Sequence, residues 1–261
     1  MRNRNALGIL WIIACLCAVL FAGRKLYDAA TEYRAGTQFY GEAASRYARP
    51  SSVQSLPAGT EPEAQETAPI SVDFDALSSR RGDVVGWLYC EDTPVNYPIA
   101  QSDDNDYYLY RLLDGTPNTA GTLFLDCRAS GDFSGWNSVI YGHNMKNDSM
   151  FGSLKHYRAQ AYYDSHPVLY LLTPNRDYKI ELVGGYVTSS NAAAYSIPET
   201  REERDALVRL AVSSSTFTSS AEITDNDKLI TLSTCVYDFE NARYVLVGVL
   251  RPLDTPASLS P

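Results

Sequence analysis

Eight short runs of β-branched and aromatic residues decide most of what this chain can become: VVGWLYC, VNYPIA, GTLFLDC, NSVIYGH, VLYLLT, YKIELVGGYV, KLITLSTC and ARYVLVGVL. Asp, Asn, Gly and Pro separate them, and runs of this length and composition read as strands joined by turns. An open sheet of eight would leave two unpaired edges, each a template for aggregation. Closing the sheet on itself removes both. The expected body is mainly β, a closed eight-stranded barrel with a few peripheral helices. The 19 tyrosines fit this reading, since Tyr favours half-buried strands and wet pockets.

Three segments predict helix. DFDALSSRRG reads as a short helix ended by Gly82, and NDSMFGSLKHYRA as a helical piece after the GHN turn. SIPETREERDALVRLAVSS places Ser196 three residues before Glu199, a capping-box spacing, with Leu207, Leu210 and Ala211 on one face. No internal repeat is visible.

The N-terminus bears on compartment. Ala6 to Gly23 is an uncharged apolar run of about the length that spans a bilayer. Arg2 and Arg4 precede it and Arg24 and Lys25 follow, so charge alone leaves the orientation ambiguous. A cleaved signal peptide is the alternative. The run is long for one, and no clear A-x-A cleavage site follows. The expected plan is a cytoplasmic tail (1–5), a transmembrane anchor (6–23), a helical stalk and Pro/Ser/Glu-rich linker (24–69), a folded domain (70–252) and a frayed tail (253–261). Pro50, Pro57, Pro62 and Pro69 among Ser, Gly and Glu make the linker a poor core former. The body is expected outside the cell, with the N-terminus inside.

Net charge is −9 with no basic stripe, which argues against nucleic-acid binding. No Asp/Glu cluster has calcium-loop spacing, so neither an essential metal nor a cofactor is expected. Cys15 and Cys17 lie in the apolar run. Cys90 and Cys127 end strand-like segments and read as buried thiols, with a disulfide between them as the alternative.

Cys235 is left over. It ends KLITLSTC at the exit of a buried strand, and eight residues later Arg243 opens the next strand. If the two strands pair as a hairpin, VYDFEN returns Arg243 to the same rim. His143 ends SVIYGH after Gly142, where the backbone is expected to turn freely. His156 in LKHYR and His166 before Pro167 read as surface or turn residues. A thiol beside an imidazole is a nucleophile with its proton acceptor at hand. A guanidinium offers several fixed donors to a developing oxyanion. Each residue alone has an ordinary structural explanation; it is their combination that points to chemistry. Asp238 and Glu240 follow the cysteine closely but read as solvated loop charges rather than a third catalytic member.

These residues carry a resemblance. TLSTC with an arginine eight positions on, together with GWLYCEDTPVNYPIAQSDDNDYYL, GTLFLDCRAS and NSVIYGHNMKNDSMFGSLKHY in that order, resembles the sortases, specifically class B. These are membrane-anchored cysteine transpeptidases of Gram-positive bacteria. The resemblance runs from about Val72 to Pro252, and the helix after Ser196 resembles a class B insertion. It implies that Cys235 attacks the carbonyl of a threonine in a C-terminal sorting signal, giving a thioester. His143 would then protonate the departing amine, and Arg243 would hold the oxyanion or the substrate backbone. It further implies substrate contacts at Asn105, Leu109, Tyr195 and Ser233. The implied partners are surface proteins with an NPxT-like or SPxT-like signal, and a cell-wall (peptidoglycan) peptide amine that resolves the thioester. Three other readings stay open: a pilin-polymerising sortase, an endopeptidase that passes the acyl group to water, and a non-enzymatic tethered barrel.

Overall fold

The computed structural model describes residues 2–51, 66–78 and 83–253. Two three-residue strands come first, β1 (Ala48–Pro50) and β2 (Ile70–Val72). The eight runs read from sequence then all appear as strands: β3 (Val84–Tyr89), β4 (Asn96–Ala100), β5 (Leu123–Leu125), β6 (Asn137–Tyr141), β7 (Val168–Leu172), β8 (Tyr178–Ser189), β9 (Lys228–Cys235) and β10 (Ala242–Pro252). They close into a barrel in the order β10-β8-β7-β3-β4-β5-β6-β9. Most neighbours are antiparallel, but β4–β5 and β6–β9 run parallel. The β6–β9 pair could not be foreseen from sequence, because its members are far apart in the chain.

The strands are apolar on both faces for a reason. The inward residues Leu88, Ile99, Leu123, Leu125, Ile140, Leu232 and Leu246 fill the barrel. The outward residues Leu229, Val245, Val247 and Val249 are covered by helix α4 (Arg201–Ser214) through Leu207 and Ala211. Each such side chain contributes about 1.5–3 kcal/mol on leaving water. Gly184 of β8 permits the close fit: a Cβ there would lie 2.4 Å from the Ala211 carbonyl oxygen.

Two local expectations change. The cap of α4 is Thr200 rather than Ser196. The Thr200 hydroxyl accepts from the Glu203 amide, and the Glu203 carboxylate reaches back to the Glu199 amide. The box spacing recurs one turn later, where the side chains close on the backbone. The helical piece after the GHN turn is a 3₁₀ segment, Gly152–Arg158, followed by helix α3, Gln160–Ser165. Helix α2 is short, Phe74–Ser78, and the proposed stop at Gly82 lies outside the described residues. So do 52–65 of the expected linker and 254–261 of the expected tail.

The N-terminal region differs more. Helix α1 runs without a break from Arg2 to Tyr47. It is the one helix among the described residues long and apolar enough to cross a membrane, and its most apolar stretch is not buried. Its second half is not a free stalk. Tyr40, Ala43 and Tyr47 are buried against the barrel side, and β1 pairs antiparallel with β2. The reading from composition missed this because small and aromatic residues at helical spacing serve a packed face and a solvated stalk alike.

Cys90 is a buried thiol contacting the Tyr157 hydroxyl and the Val168 carbonyl, and Cys127 is half-buried. Both are free, so the disulfide alternative falls. His156 pairs with Asp148 on the surface, and His166 caps α3.

Candidate active site

Strand β9 organises the rim because it has a different neighbour on each side. On one side it pairs antiparallel with β10, placing Arg243 directly opposite Cys235. On the other it pairs parallel with β6, placing Tyr141 opposite Ser233. Parallel strands end at the same edge, so the two residues after Tyr141 and the two after Ser233 emerge together. These are Gly142 and His143, and Thr234 and Cys235. The three side chains read from sequence thus reach one rim by two different pairings.

The turn carrying His143 is tied to β9 on both sides of the histidine. The Gly142 amide donates to the Ser233 carbonyl at 3.1 Å, and the Thr234 hydroxyl donates to the Gly142 carbonyl at 2.8 Å. The Asn144 side-chain amide donates to the Cys235 carbonyl at 2.8 Å. Gly142 is required for space rather than for backbone freedom. Its φ is not positive, but a Cβ would sit 2.5 Å from a Leu123 methyl and 2.6 Å from the Phe151 ring.

His143 is half-buried, its ring against Tyr110 with centroids 5.4 Å apart. Its Nε2 lies 2.6 Å from the Leu109 carbonyl oxygen. A carbonyl can only accept, so Nε2 carries the proton and the neutral ring keeps its lone pair on Nδ1. Burial pushes the imidazole pKa below its ordinary 6.5, opposed in part by the Leu109 hydrogen bond.

A cleft of about 600 Å³ opens at this rim. Cys235, His143 and Arg243 line it, and so do Asn105, Leu109, Tyr195 and Ser233. All seven residues singled out from sequence therefore border one cavity. The Tyr195 and Ser233 hydroxyls are 2.8 Å apart. Asn105 accepts from the Cys127 amide at 2.9 Å, which fixes its side chain against β5. Asp238 and Glu240 are exposed loop charges, as expected; Asp238 forms a bidentate surface pair with Arg158 at 2.7 and 3.0 Å and does not line the cleft.

Sequence reasoning missed the floor and one wall of the cleft. Asp126 is fully buried and grips Arg128 through two oxygens at 2.8 Å, while accepting from the Tyr141 hydroxyl at 2.8 Å. These partners hold its carboxyl at about 2 despite burial. Arg128 also donates to the Tyr195 carbonyl at 3.1 Å, and the Tyr141 and Tyr195 rings stack with centroids 5.9 Å apart. The Asp-x-Arg spacing in LFLDCRAS was the available signal.

A thiol, an imidazole with a free ring nitrogen and a guanidinium at one cleft can support acyl transfer. Comparison with known proteins agrees. The sortase domain family matches residues 88–251. The chain is 30% identical to sortase B of Listeria monocytogenes over 254 residues, 96% of this chain and 99% of that protein. Among solved structures, sortase B from B. anthracis in complex with AAEK1 superposes with a TM-score of 0.70 at 30% identity, covering 85% of this chain and 99% of that one. A Staphylococcus aureus sortase B–substrate complex gives 0.66 at 25% identity, covering 69% and 85%. The chain belongs to the sortase family of cysteine transpeptidases. Within that family it falls in class B.

Proposed function

We propose that this sortase cleaves a C-terminal sorting signal after threonine and transfers the new acyl end to a cell-wall peptide amine. The observation that carries the reading is the common cleft of Cys235, His143 and Arg243, bordered by four further residues suited to peptide contact.

The chemistry follows from the protonation states. Burial favours neutral His143 at neutral pH. In the proposed first step the Cys235 sulfur bonds to the threonine carbonyl carbon as its proton passes to Nδ1 of His143. Arg243 stabilises the charge gathering on the carbonyl oxygen. The C–N bond then breaks, the imidazolium returns the proton to the departing amine, and a thioester remains. An incoming amine attacks that thioester, its surplus proton passes to His143, and the C–S bond breaks as His143 returns that proton to the Cys235 sulfur. The reaction balances without oxidant or metal. Thioesters react well with amines relative to water, which favours transfer over hydrolysis. Asn105, Leu109, Tyr195 and Ser233 contact the signal, which is of the NPxT-like or SPxT-like kind.

The apolar half of α1 anchors the enzyme with its N-terminus inside and the barrel outside. In that orientation the cleft shares a compartment with both secreted proteins and the wall.

The test is to incubate the enzyme with a pentapeptide library, with and without an amine acceptor, and locate the thioester by mass spectrometry. An adduct on Cys235 that resolves faster with amine is expected, and it should be absent in Cys235→Ala. An adduct that resolves at the same rate without amine would overturn the transferase reading in favour of hydrolysis.

A further inference from the structure

Leu109 reached the cleft as a candidate substrate contact, but its backbone does something else. Its carbonyl oxygen is the hydrogen-bond acceptor of His143. What aims that oxygen is the segment 118–122, which binds the backbone on either side of it. The Thr122 amide donates to the Tyr108 carbonyl at 3.0 Å, and the Asn118 amide to the Tyr110 carbonyl at 3.0 Å. The neighbouring carbonyls are thereby engaged, and that of Leu109 is met by the imidazole. Gly121, at φ +59°, lies directly against this strip. A Cβ there would be 2.5 Å from the Leu109 oxygen and 2.7 Å from that of Tyr108.

The segment 118–122 is itself held by α1. Tyr40 is buried, and its hydroxyl lies 2.6 Å from the Gly121 carbonyl oxygen and 2.8 Å from the Thr122 hydroxyl. One turn back, Gly36 lets the helix approach, since a Cβ there would meet Asn118 at 3.0 Å and Ala120 at 3.1 Å. Another turn back, the Glu32 carboxylate accepts from the Thr119 amide at 2.8 Å and the Glu32 carbonyl from the Asn118 side chain at 3.1 Å. Glu32, Gly36 and Tyr40 are four residues apart, so they form one stripe along the helix. Thr37 beside them receives the Asn147 side chain at 3.4 Å, from the turn that follows His143.

We propose that this stripe is a positioning element for the reaction: by pinning 118–122, Glu32 and Tyr40 present the Leu109 carbonyl that fixes the ring and tautomer of His143. The inference rests on His143 being the acid–base group of the proposed function. The helix that serves as the anchor would then also serve the active site, though none of its residues touches substrate. Misplacing a proton-transfer group by a fraction of an ångström costs rate far more than binding. The effect belongs in kcat.

The experiment uses the full-length chain in detergent micelles, with quenched peptides bearing Asn-Pro-Ala-Thr and Ser-Pro-Ala-Thr cores as probes. Tyr40→Phe removes both hydroxyl contacts and keeps the ring. Glu32→Ala removes the carboxylate, and Glu32→Gln keeps an acceptor oxygen. We expect kcat to fall about 3- to 10-fold in Tyr40→Phe and Glu32→Ala with KM within about twofold, and Glu32→Gln to recover the wild-type value. Nitrogen NMR of His143 should show the Nε2–H tautomer in the parent and a mixture in Tyr40→Phe. Unchanged kcat and an unchanged tautomer in both variants would overturn the proposal. So would losses that disappear when the assay is run well below each variant's melting temperature. His143→Ala separates the two levels: if it turns over normally, the catalytic reading itself has failed. If it is dead while Tyr40→Phe is normal, only the role of α1 has failed.

Discussion

Cys235 and Arg243 face each other because they occupy opposite positions of an antiparallel pair. Proximity alone does not make the guanidinium replaceable by another cation. Its planar fork can direct two donors at one oxygen, and an ammonium cannot. Arg243→Lys is therefore expected to lower kcat/KM by about 10²- to 10³-fold, the range seen when an oxyanion donor is removed. Steady-state kinetics on a sorting peptide checks this, and near-normal turnover would remove Arg243 from the mechanism. His143 gives a pH prediction. Its folded pKa lies below 6.5, so the unfolded chain binds the proton more readily. The stability linked to the neutral ring is full above pH 6.5 and is lost as pH falls from there toward the folded pKa. Activity requiring a neutral acceptor falls over the same interval. An NMR titration should place the His143 midpoint below 6.5, and a midpoint at or above it would contradict the burial argument.

At the level of elements, the β6 exit shows how packing restricts a turn. The residue between Tyr141 and His143 must be glycine, because Leu123 and Phe151 occupy the space a side chain needs. Phe151 is fully buried, so it cannot swing aside into solvent. Gly142→Ala is expected to destabilise the domain by about 1–3 kcal/mol, as overpacking does. It should also displace His143, so that activity falls more than the loss of folded protein explains. Chemical denaturation combined with active-site titration measures both. The sequence marked this glycine but suggested a conformational reason for it. The actual reason is steric, and it becomes visible only when β5 and the 3₁₀ segment are in place.

For the whole molecule, the question is where the folded unit begins. Composition placed the start near Ile70, after a proline-rich stretch. Yet α1 contributes buried Tyr40, Ala43 and Tyr47, and β1 is the partner of β2. Removing a buried aromatic such as Tyr40 costs about 3–5 kcal/mol. A chain cut to begin at Ile70 is thus expected to melt well below one beginning at Lys25, which keeps the packed half of the helix. Equal melting temperatures would mean that α1 merely rests on the barrel. The other half of α1 exposes Leu10, Trp11, Ile12, Leu16, Leu20 and Phe21. The helix is therefore continuous from an apolar span to the support of the cleft.

The eight barrel strands, the closed barrel and the hairpin that returns Arg243 to Cys235 were all legible in the residues, because β-branched runs, turn chemistry and hairpin spacing are local properties. The helix insertion was legible too, although its cap was displaced by one turn. His143 joined the other two only through the parallel pairing of β6 with β9, and Tyr40 reached the Leu109 segment only through the docking of α1. Both contacts join distant parts of the chain, and no local pattern encodes which distant partner a strand edge or helix face will meet. That choice was made by closing the barrel and burying its flank.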